Sequence, residues 1–214
     1  MSARRASSGA GQAVEGLPAG GLPAGLSLHM AQEPAADELL SRDPFALLVG
    51  MMLDQQIPME KAFSGPRVIA DRMGTTDLDP ALVAEADPEE FGTIMAGPPA
   101  VHRYHRSMAG RVQTLARYVV ETYEGDAAAV WRDVPTGAEL LRRLGALPGY
   151  GDQKARIFLA LLGKQAGVRP TGWREAAGAY GEEGSHRSVA DVVDAASLQQ
   201  VRDHKKAMKA GLTT

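Results

Sequence analysis

The chain has 214 residues, of which 44% are hydrophobic and 23% are charged. This matches one large or two small globular domains and excludes collagen-like and wholly disordered chains. The formal net charge of −3 argues mildly against a nucleic-acid binder, because affinity for phosphates depends on cations. There is no cysteine, so disulfides, cysteine nucleophiles and cysteine-ligated iron–sulfur clusters are excluded. The apolar runs are too short to span a membrane and do not form a secretory signal, so we expect a cytoplasmic protein.

The first part of the chain differs in composition from the rest. Residues 1–35 are rich in glycine, proline and alanine and contain GLPAG twice, which predicts a disordered tail. From residue 36 to residue 214 the pattern is helical. Aspartate followed by proline is typical of a helix start, and the pair occurs at Asp43, Asp79 and Asp87. The first pair predicts a largely buried helix that ends before Pro58, and a second helix is predicted over about 59–73.

Further helices follow along the chain. A long amphipathic helix is predicted over 107–124, and the stretch 102–117 contains four arginines and no acid. Thr136 with glutamate three residues later is a capping-box pattern and predicts the next helix start. Later helical pieces are predicted at about 170–180, 187–195 and 197–209. Strand signals are nearly absent, so the predicted fold class is all-α, in one or two lobes.

The most informative segment is a glycine-containing turn between two predicted helices, within residues 136–164. Its sequence begins at Leu147 and places Gly149 and Gly151 on either side of Tyr150. Such a turn presents several backbone N–H groups at a helix N-terminus, where the helix dipole favours a phosphate. The alternative is a plain helical hairpin with a glycine cap and no ligand.

Three charged residues follow this turn. Asp152 is placed to cap the second helix. Lys154 and Arg156 add positive charge close to the predicted phosphate site. Both cations are also compatible with a solvated surface.

The turn resembles a known family motif. Leu-Pro-Gly-Tyr-Gly with an alanine four residues later is similar to the helix–hairpin–helix of the HhH-GPD base-excision DNA glycosylases. The segment from Leu53 to Ile57, Leu-Asp-Gln-Gln-Ile, resembles the glutamine element that follows the first buried helix in these enzymes. Both elements occur in the order found in the family, and the resemblance covers about residues 38–180.

The resemblance implies a DNA repair protein that binds duplex DNA as a monomer and does not bind a membrane. It would flip a damaged base into a pocket between two helical lobes and hydrolyse the N-glycosidic bond. The turn residues from Leu147 to Gly151, with Lys154 and Arg156, would contact DNA. Gln56 would fill the gap left by the flipped base, with Gln55 and Ile57 beside it. Without the turn, the two glutamines are equally typical of a solvated helix end.

The chain departs from the family at the catalytic positions. The family's catalytic aspartate is expected just after the second helix of the hairpin, where this chain has Pro170 or Thr171. A threonine hydroxyl cannot supply negative charge, so Glu175 and Asp54 are the candidate catalytic carboxylates. The family's Schiff-base lysine would fall at Gln153. We therefore expect monofunctional cleavage, with no Schiff base at Lys154.

The resemblance also predicts the pocket and the cofactors. Thr171, Trp173 and Tyr180 would line the base pocket, where the two aromatic rings would stack on the flipped base. Ordinary core packing is the alternative for both rings. No cofactor and no iron–sulfur cluster are expected, although the turn is suited to a monovalent cation. The five histidines show no metal-ligand spacing.

Two other functions remain open at this point. The absent aspartate favours a DNA-binding protein of the same fold without glycosylase activity. The acidic net charge favours a helical domain that binds other proteins.

Overall fold

The computed structural model describes residues 21–211 and is all-α over this range, which confirms the predicted fold class. Within this range there is no β-strand, and one isolated bridge pairs Thr136 with Thr171. The α-helices of the described residues are α1 Pro34–Arg42, α2 Pro44–Leu53, α3 Met59–Met73, α4 Pro80–Glu85, α5 Pro88–Ala96, α6 His105–Tyr123, α7 Gly137–Ala146, α8 Asp152–Lys164, α9 Trp173–Ala177 and α10 Ala195–Gly211. Short 3-10 helices lie at Ala127–Val130, Gly178–Gly181 and Val189–Asp191.

Each predicted aspartate–proline pair begins a helix. The Asp43 side chain accepts a hydrogen bond from the Ala46 N–H at 2.9 Å, and Asp79 and Asp87 cap α4 and α5 in the same way. The second carboxylate oxygen of Asp43 accepts from the Leu78 N–H at 2.7 Å. One buried carboxylate therefore caps α2 and also ties it to the segment before α4.

Helices α1 to α6 form a first group around α2. Every residue of α2 from Phe45 to Leu53 is buried, while α3 packs along α1 and α2, and α4 and α5 pack on α6. Gly50 permits the close approach of α3, because a Cβ at this position would lie 2.7 Å from the Phe63 ring. No helix within residues 21–211 is both long and apolar enough to cross a lipid bilayer.

Helices α7, α8 and α9 form a second group, and α10 packs on the 3-10 helix before it. Thr136 begins α7 as predicted, since its hydroxyl accepts from the Glu139 N–H at 3.2 Å. The Glu139 carboxylate does not complete the capping box and instead binds Arg142 and Arg143. One continuous buried core joins the two groups.

Helix α2 ends earlier than the sequence predicted. Its last residue is Leu53, and Gln56 adopts a left-handed backbone with φ 58°. Ile57 precedes a proline, which disfavours helical backbone at that position. Residues 54–57 therefore form a loop between α2 and α3.

The predicted disordered tail was too long. Residues 1–20 lie outside the described residues. In the adjoining segment, Leu28 and Met30 are buried, and the Trp131 indole N–H donates to the Gly21 carbonyl oxygen at 2.7 Å. The prediction was wrong over 21–35 because these apolar side chains pack on helices that are distant in sequence.

Candidate functional site

The loop after α2 and the start of α8 border a common cleft, with a volume of about 820 Å³. Residues 179–180 and one side of α10 complete its walls. The residues lining this cleft are Met51, Asp54, Gln55, Gln56, Ile57, Pro58, Gln153, Lys154, Ile157, Ala179, Tyr180, Arg187, His204, Lys205, Met208 and Lys209. We call residues 54–57 the glutamine loop. The fold thus brings this loop next to α8, the helix that follows the predicted turn.

The two glutamines of the loop differ in their surroundings. The Gln55 amide donates to the Met52 carbonyl oxygen at 2.8 Å, and Arg111 donates to the Gln55 side-chain oxygen at 3.4 Å. The Gln56 side chain is exposed and makes no hydrogen bond to any residue between 21 and 211. Gln55 is therefore anchored in the protein, whereas Gln56 is available to a ligand.

A buried histidine holds this loop. The Tyr104 N–H donates to His102 Nδ1 at 3.0 Å, so Nε2 carries the ring hydrogen and donates to the Gln55 carbonyl oxygen at 2.9 Å. Burial lowers the pKa of His102, and the nearby charges of Lys61 and Arg103 act in the same direction. The ring is therefore neutral near pH 7. The sequence contains no local signal for this contact, which joins residues 47 positions apart.

The turn between α7 and α8 packs against α2 through its larger side chains. Leu147 and Tyr150 are buried, and the Tyr150 hydroxyl donates to the Leu48 carbonyl oxygen at 2.7 Å. Burial raises the pKa of Tyr150 well above its usual value. The side chains of Leu147 and Tyr150 therefore fasten the turn to the protein, and a contact of this turn with DNA would be made by its backbone.

The backbone of the same turn faces outward. Gly149 and Gly151 are exposed, and a Cβ added at Gly151 would meet open space. The first helical hydrogen bond of α8 runs from the Ala155 N–H to the Gly151 carbonyl oxygen at 3.0 Å. The N–H groups from Gly151 to Lys154 have no acceptor among the described residues. Free N–H groups at a helix N-terminus are suited to an anion.

The charged residues after the turn bind protein groups. The sequence predicted that Asp152 caps α8, and this was wrong, because the N-cap residue is Gly151. The Asp152 carboxylate instead accepts from Arg156 at 2.8 Å. Arg156 also donates to the Ala176 carbonyl oxygen at 2.7 Å, which ties α8 to α9. Arg156 therefore has a structural role, and its contact with phosphate stays a prediction.

Lys154 has a second structural role. Its ammonium group donates to the carbonyl oxygens of Met51 at 2.6 Å and Met52 at 2.9 Å. These carbonyls lie at the C-terminal end of α2, where the helix dipole stabilises a positive charge. Burial lowers its pKa to about 8, and the charge of Asp54 acts in the opposite direction. Lys154 is thus neither the solvated surface charge nor the free phosphate ligand that the sequence predicted.

The two candidate carboxylates lie in different places. Asp54 lines the cleft, and its carboxylate makes no hydrogen bond or ion pair with the described residues. Burial raises the pKa of Asp54, while the positive charges of Lys205 and Lys154 oppose this effect. Glu175 is exposed on α9 and does not line the cleft.

Of the three predicted base-pocket residues, one lines the cleft. The Tyr180 hydroxyl accepts from the Gln153 amide at 2.9 Å at the cleft wall. Trp173 is buried, and a Cβ at Gly163 would lie 2.3 Å from its ring, so its role is core packing. Thr171 is exposed, and its backbone pairs with the start of α7.

Positive charges gather around the glutamine loop although the whole chain is acidic. Arg111 contacts Gln55 directly, and the charges of Lys61, Arg103 and Lys154 all act on the buried histidine beneath the loop. The local surface is therefore suited to an anionic ligand.

No group of three or more histidine, aspartate or glutamate residues between 21 and 211 is placed to hold a metal ion. A separate cavity of about 740 Å³ lies between segment 22–29 and α1. None of the predicted site residues lines this cavity.

Comparison of the sequence with models of known protein families and with curated proteins gives no match.

Proposed function

We propose that this protein binds duplex DNA and hydrolyses the N-glycosidic bond of a damaged base, leaving an abasic site. The observation that carries the proposal is the convergence of three features on one cleft. These are the exposed Gln56, the residues Gln153 and Lys154 at the start of α8, whose N–H groups have no acceptor among the described residues, and Asp54.

The start of α8 is proposed to hold the DNA backbone. Its N–H groups would donate to phosphate oxygens, as in a helix–hairpin–helix, and the helix dipole would add to the attraction. Contacts of this kind are independent of base sequence. They would place the duplex beside the glutamine loop.

Gln56 is proposed to enter the duplex where a base has been flipped out. Its left-handed backbone and exposed side chain support this role, and the contacts of Gln55 to Met52 and Arg111 would keep the loop in place. The cost of unstacking the base would be offset by new contacts in the cleft.

Asp54 is proposed to be the catalytic carboxylate. The bond between C1′ and the base nitrogen breaks, the electron pair leaves with the base, and positive charge develops on the sugar. The carboxylate would stabilise this charge and accept a proton from the water that adds to C1′. This role requires the ionised form. Burial raises the pKa of Asp54 and opposes ionisation, while the positive charges of Lys205 and Lys154 act in the opposite direction.

A second candidate function is lesion recognition without cleavage. The observation in its favour is Thr171, which occupies the position expected for an aspartate and is paired through its backbone with Thr136. In this case Asp54 would have no chemical role, and the cleft would only bind DNA.

The test uses Asp54→Asn with Glu175→Gln as the matched control. Labelled duplexes carrying uracil, oxidised guanine, alkylated adenine or mismatches are incubated with each protein, and abasic sites are detected by alkaline strand cleavage. Asp54→Asn should lower the single-turnover rate by about 10²–10³-fold, as expected for loss of one preorganised electrostatic group. Glu175→Gln should cleave at the wild-type rate.

Three other results would change the conclusion. An equal loss of activity in Glu175→Gln would remove Asp54 as the catalytic group. Salt-sensitive DNA binding without cleavage of any of these duplexes would favour the second candidate function. A lack of DNA binding at low salt would overturn both candidates.

A further inference from the structure

The last part of α10 extends beyond the protein core. Leu198 and Val201 are buried, and no residue from 202 to 211 is buried. We call residues 202–211 the basic arm. The arm is helical throughout.

The charge of the arm is opposite to that of the whole chain. Asp203 is its only acid, and its cations are Arg202, Lys205, Lys206 and Lys209. The complete chain has a formal net charge of −3. Positive charge is therefore concentrated on this exposed segment.

The arm forms one wall of the cleft. His204, Lys205 and Met208 line it together with the glutamine loop and the start of α8. The arm also borders an adjoining cavity of about 360 Å³, where Lys205 and Lys206 face the start of α3. A polymer bound in the cleft would thus lie directly against the arm.

Two lysines of the arm, Lys205 and Lys206, are available to a partner. Arg202 forms an ion pair with Glu60. Lys205 and Lys206 make no hydrogen bond or ion pair with residues 21–211, although the charge of Lys205 acts on Asp54 across the cleft. Two exposed ammonium groups beside the cleft are suited to phosphate oxygens.

We propose that the basic arm binds the phosphate backbone of the nucleic acid that enters the cleft. This inference rests on the proposed function and adds a second phosphate contact to that of the N–H groups at the start of α8. The arm has one large apolar residue, Met208, and lacks the apolar face that a membrane-surface helix requires. Its composition therefore favours nucleic acid over an anionic membrane.

The test is the salt dependence of DNA binding by Lys205→Gln/Lys206→Gln. The matched control is Arg67→Gln/Arg142→Gln, which removes the same charge from two exposed ion pairs outside the cleft. Binding of a short fluorescein-labelled duplex is measured by anisotropy over a range of potassium chloride concentrations. Circular dichroism and thermal unfolding check that all variants fold.

The arm variant should weaken binding by about eightfold for each lost contact at ~0.1 M salt, equally for unrelated sequences. The slope of log K against log salt should fall in magnitude by about 0.9 for each contact. The control variant should keep the wild-type affinity and slope within error.

The alternative results separate the two proposals. Wild-type binding that is salt-sensitive but unchanged in the arm variant would overturn the role of the arm and leave the proposed function intact. Absence of duplex binding by the wild-type protein would overturn both. Tighter binding to phosphatidylserine vesicles than to the duplex, lost in the arm variant, would identify the arm as a membrane-binding surface and overturn its role here.

Discussion

Replacing Lys154 with methionine removes an ammonium group whose charged form is destabilised by burial. The pKa of this lysine falls from 10.5 to about 8 in the folded protein, with burial as the largest cause. In the unfolded chain the amine returns to water and to its ordinary pKa. The folded and unfolded states therefore differ in bound protons between about pH 8 and 10.5.

The sign of the pH dependence follows from this difference. Below about pH 8 both states carry the charge, so the folded state bears the full penalty of burying it. Between about pH 8 and 10.5 the unfolded chain binds the additional proton, so the free energy of unfolding rises with pH. At ~1.4 kcal/mol for each pH unit, the total rise is about 3 kcal/mol.

The assay is urea unfolding of the wild-type protein and Lys154→Met at several pH values across this window. The contacts to Met51 and Met52 survive deprotonation, because a neutral amine still has N–H donors, and their loss in the variant gives an offset that does not depend on pH. Titration of Tyr150 is common to both proteins and cancels. The wild-type value minus the variant value should therefore rise by about 3 kcal/mol.

A difference that stays constant over this pH range would refute the reasoning. It would mean that the ammonium group is hydrated in the folded protein and that burial does not control its charge. Lys206→Met, which removes an exposed lysine, is the control and should give a constant difference.

Two further predictions concern how the turn is held, and both are measured by urea unfolding. Gly149→Ala should destabilise the protein by about 1–2 kcal/mol, because its φ of 81° is left-handed, whereas Gly145→Ala on α7 should stabilise it by ~0.5–1 kcal/mol. Equal effects of the two substitutions would show that the left-handed backbone is not needed. Tyr150→Phe should cost about 1 kcal/mol through loss of the buried hydrogen bond to Leu48, and an unchanged stability would mean that packing alone holds the turn.

The elements of this fold were largely predictable from short segments. Asp43, Asp79 and Asp87 begin helices because each side chain caps N–H groups within three residues. The turn around Gly149 was equally visible, since its left-handed backbone requires glycine. These signals are local and do not depend on the rest of the protein.

The roles of the side chains in the site were less predictable. Tyr150 and Lys154 both carry groups suited to a ligand, yet both bind carbonyl oxygens of α2, about a hundred residues earlier in the chain. Sequence alone placed Glu175 first and Asp54 second among the candidate carboxylates, and only the packing of α2, α8 and α10 placed Asp54 in the cleft. The sequence analysis did not identify Lys205 as part of the cleft wall, although the cations that follow Val201 in the sequence indicated a basic segment.

For this protein, then, sequence by itself determined the helical class, the starts of the main helices and the glycine turn, because capping and backbone preference act over a few residues. Only the tertiary structure decided which donors are free. The N–H groups from Gly151 to Lys154 have no acceptor among the described residues, while the side chains of Lys154 and Arg156 donate to carbonyl oxygens of the protein. That outcome depends on contacts between segments far apart in the chain, and no local pattern records them.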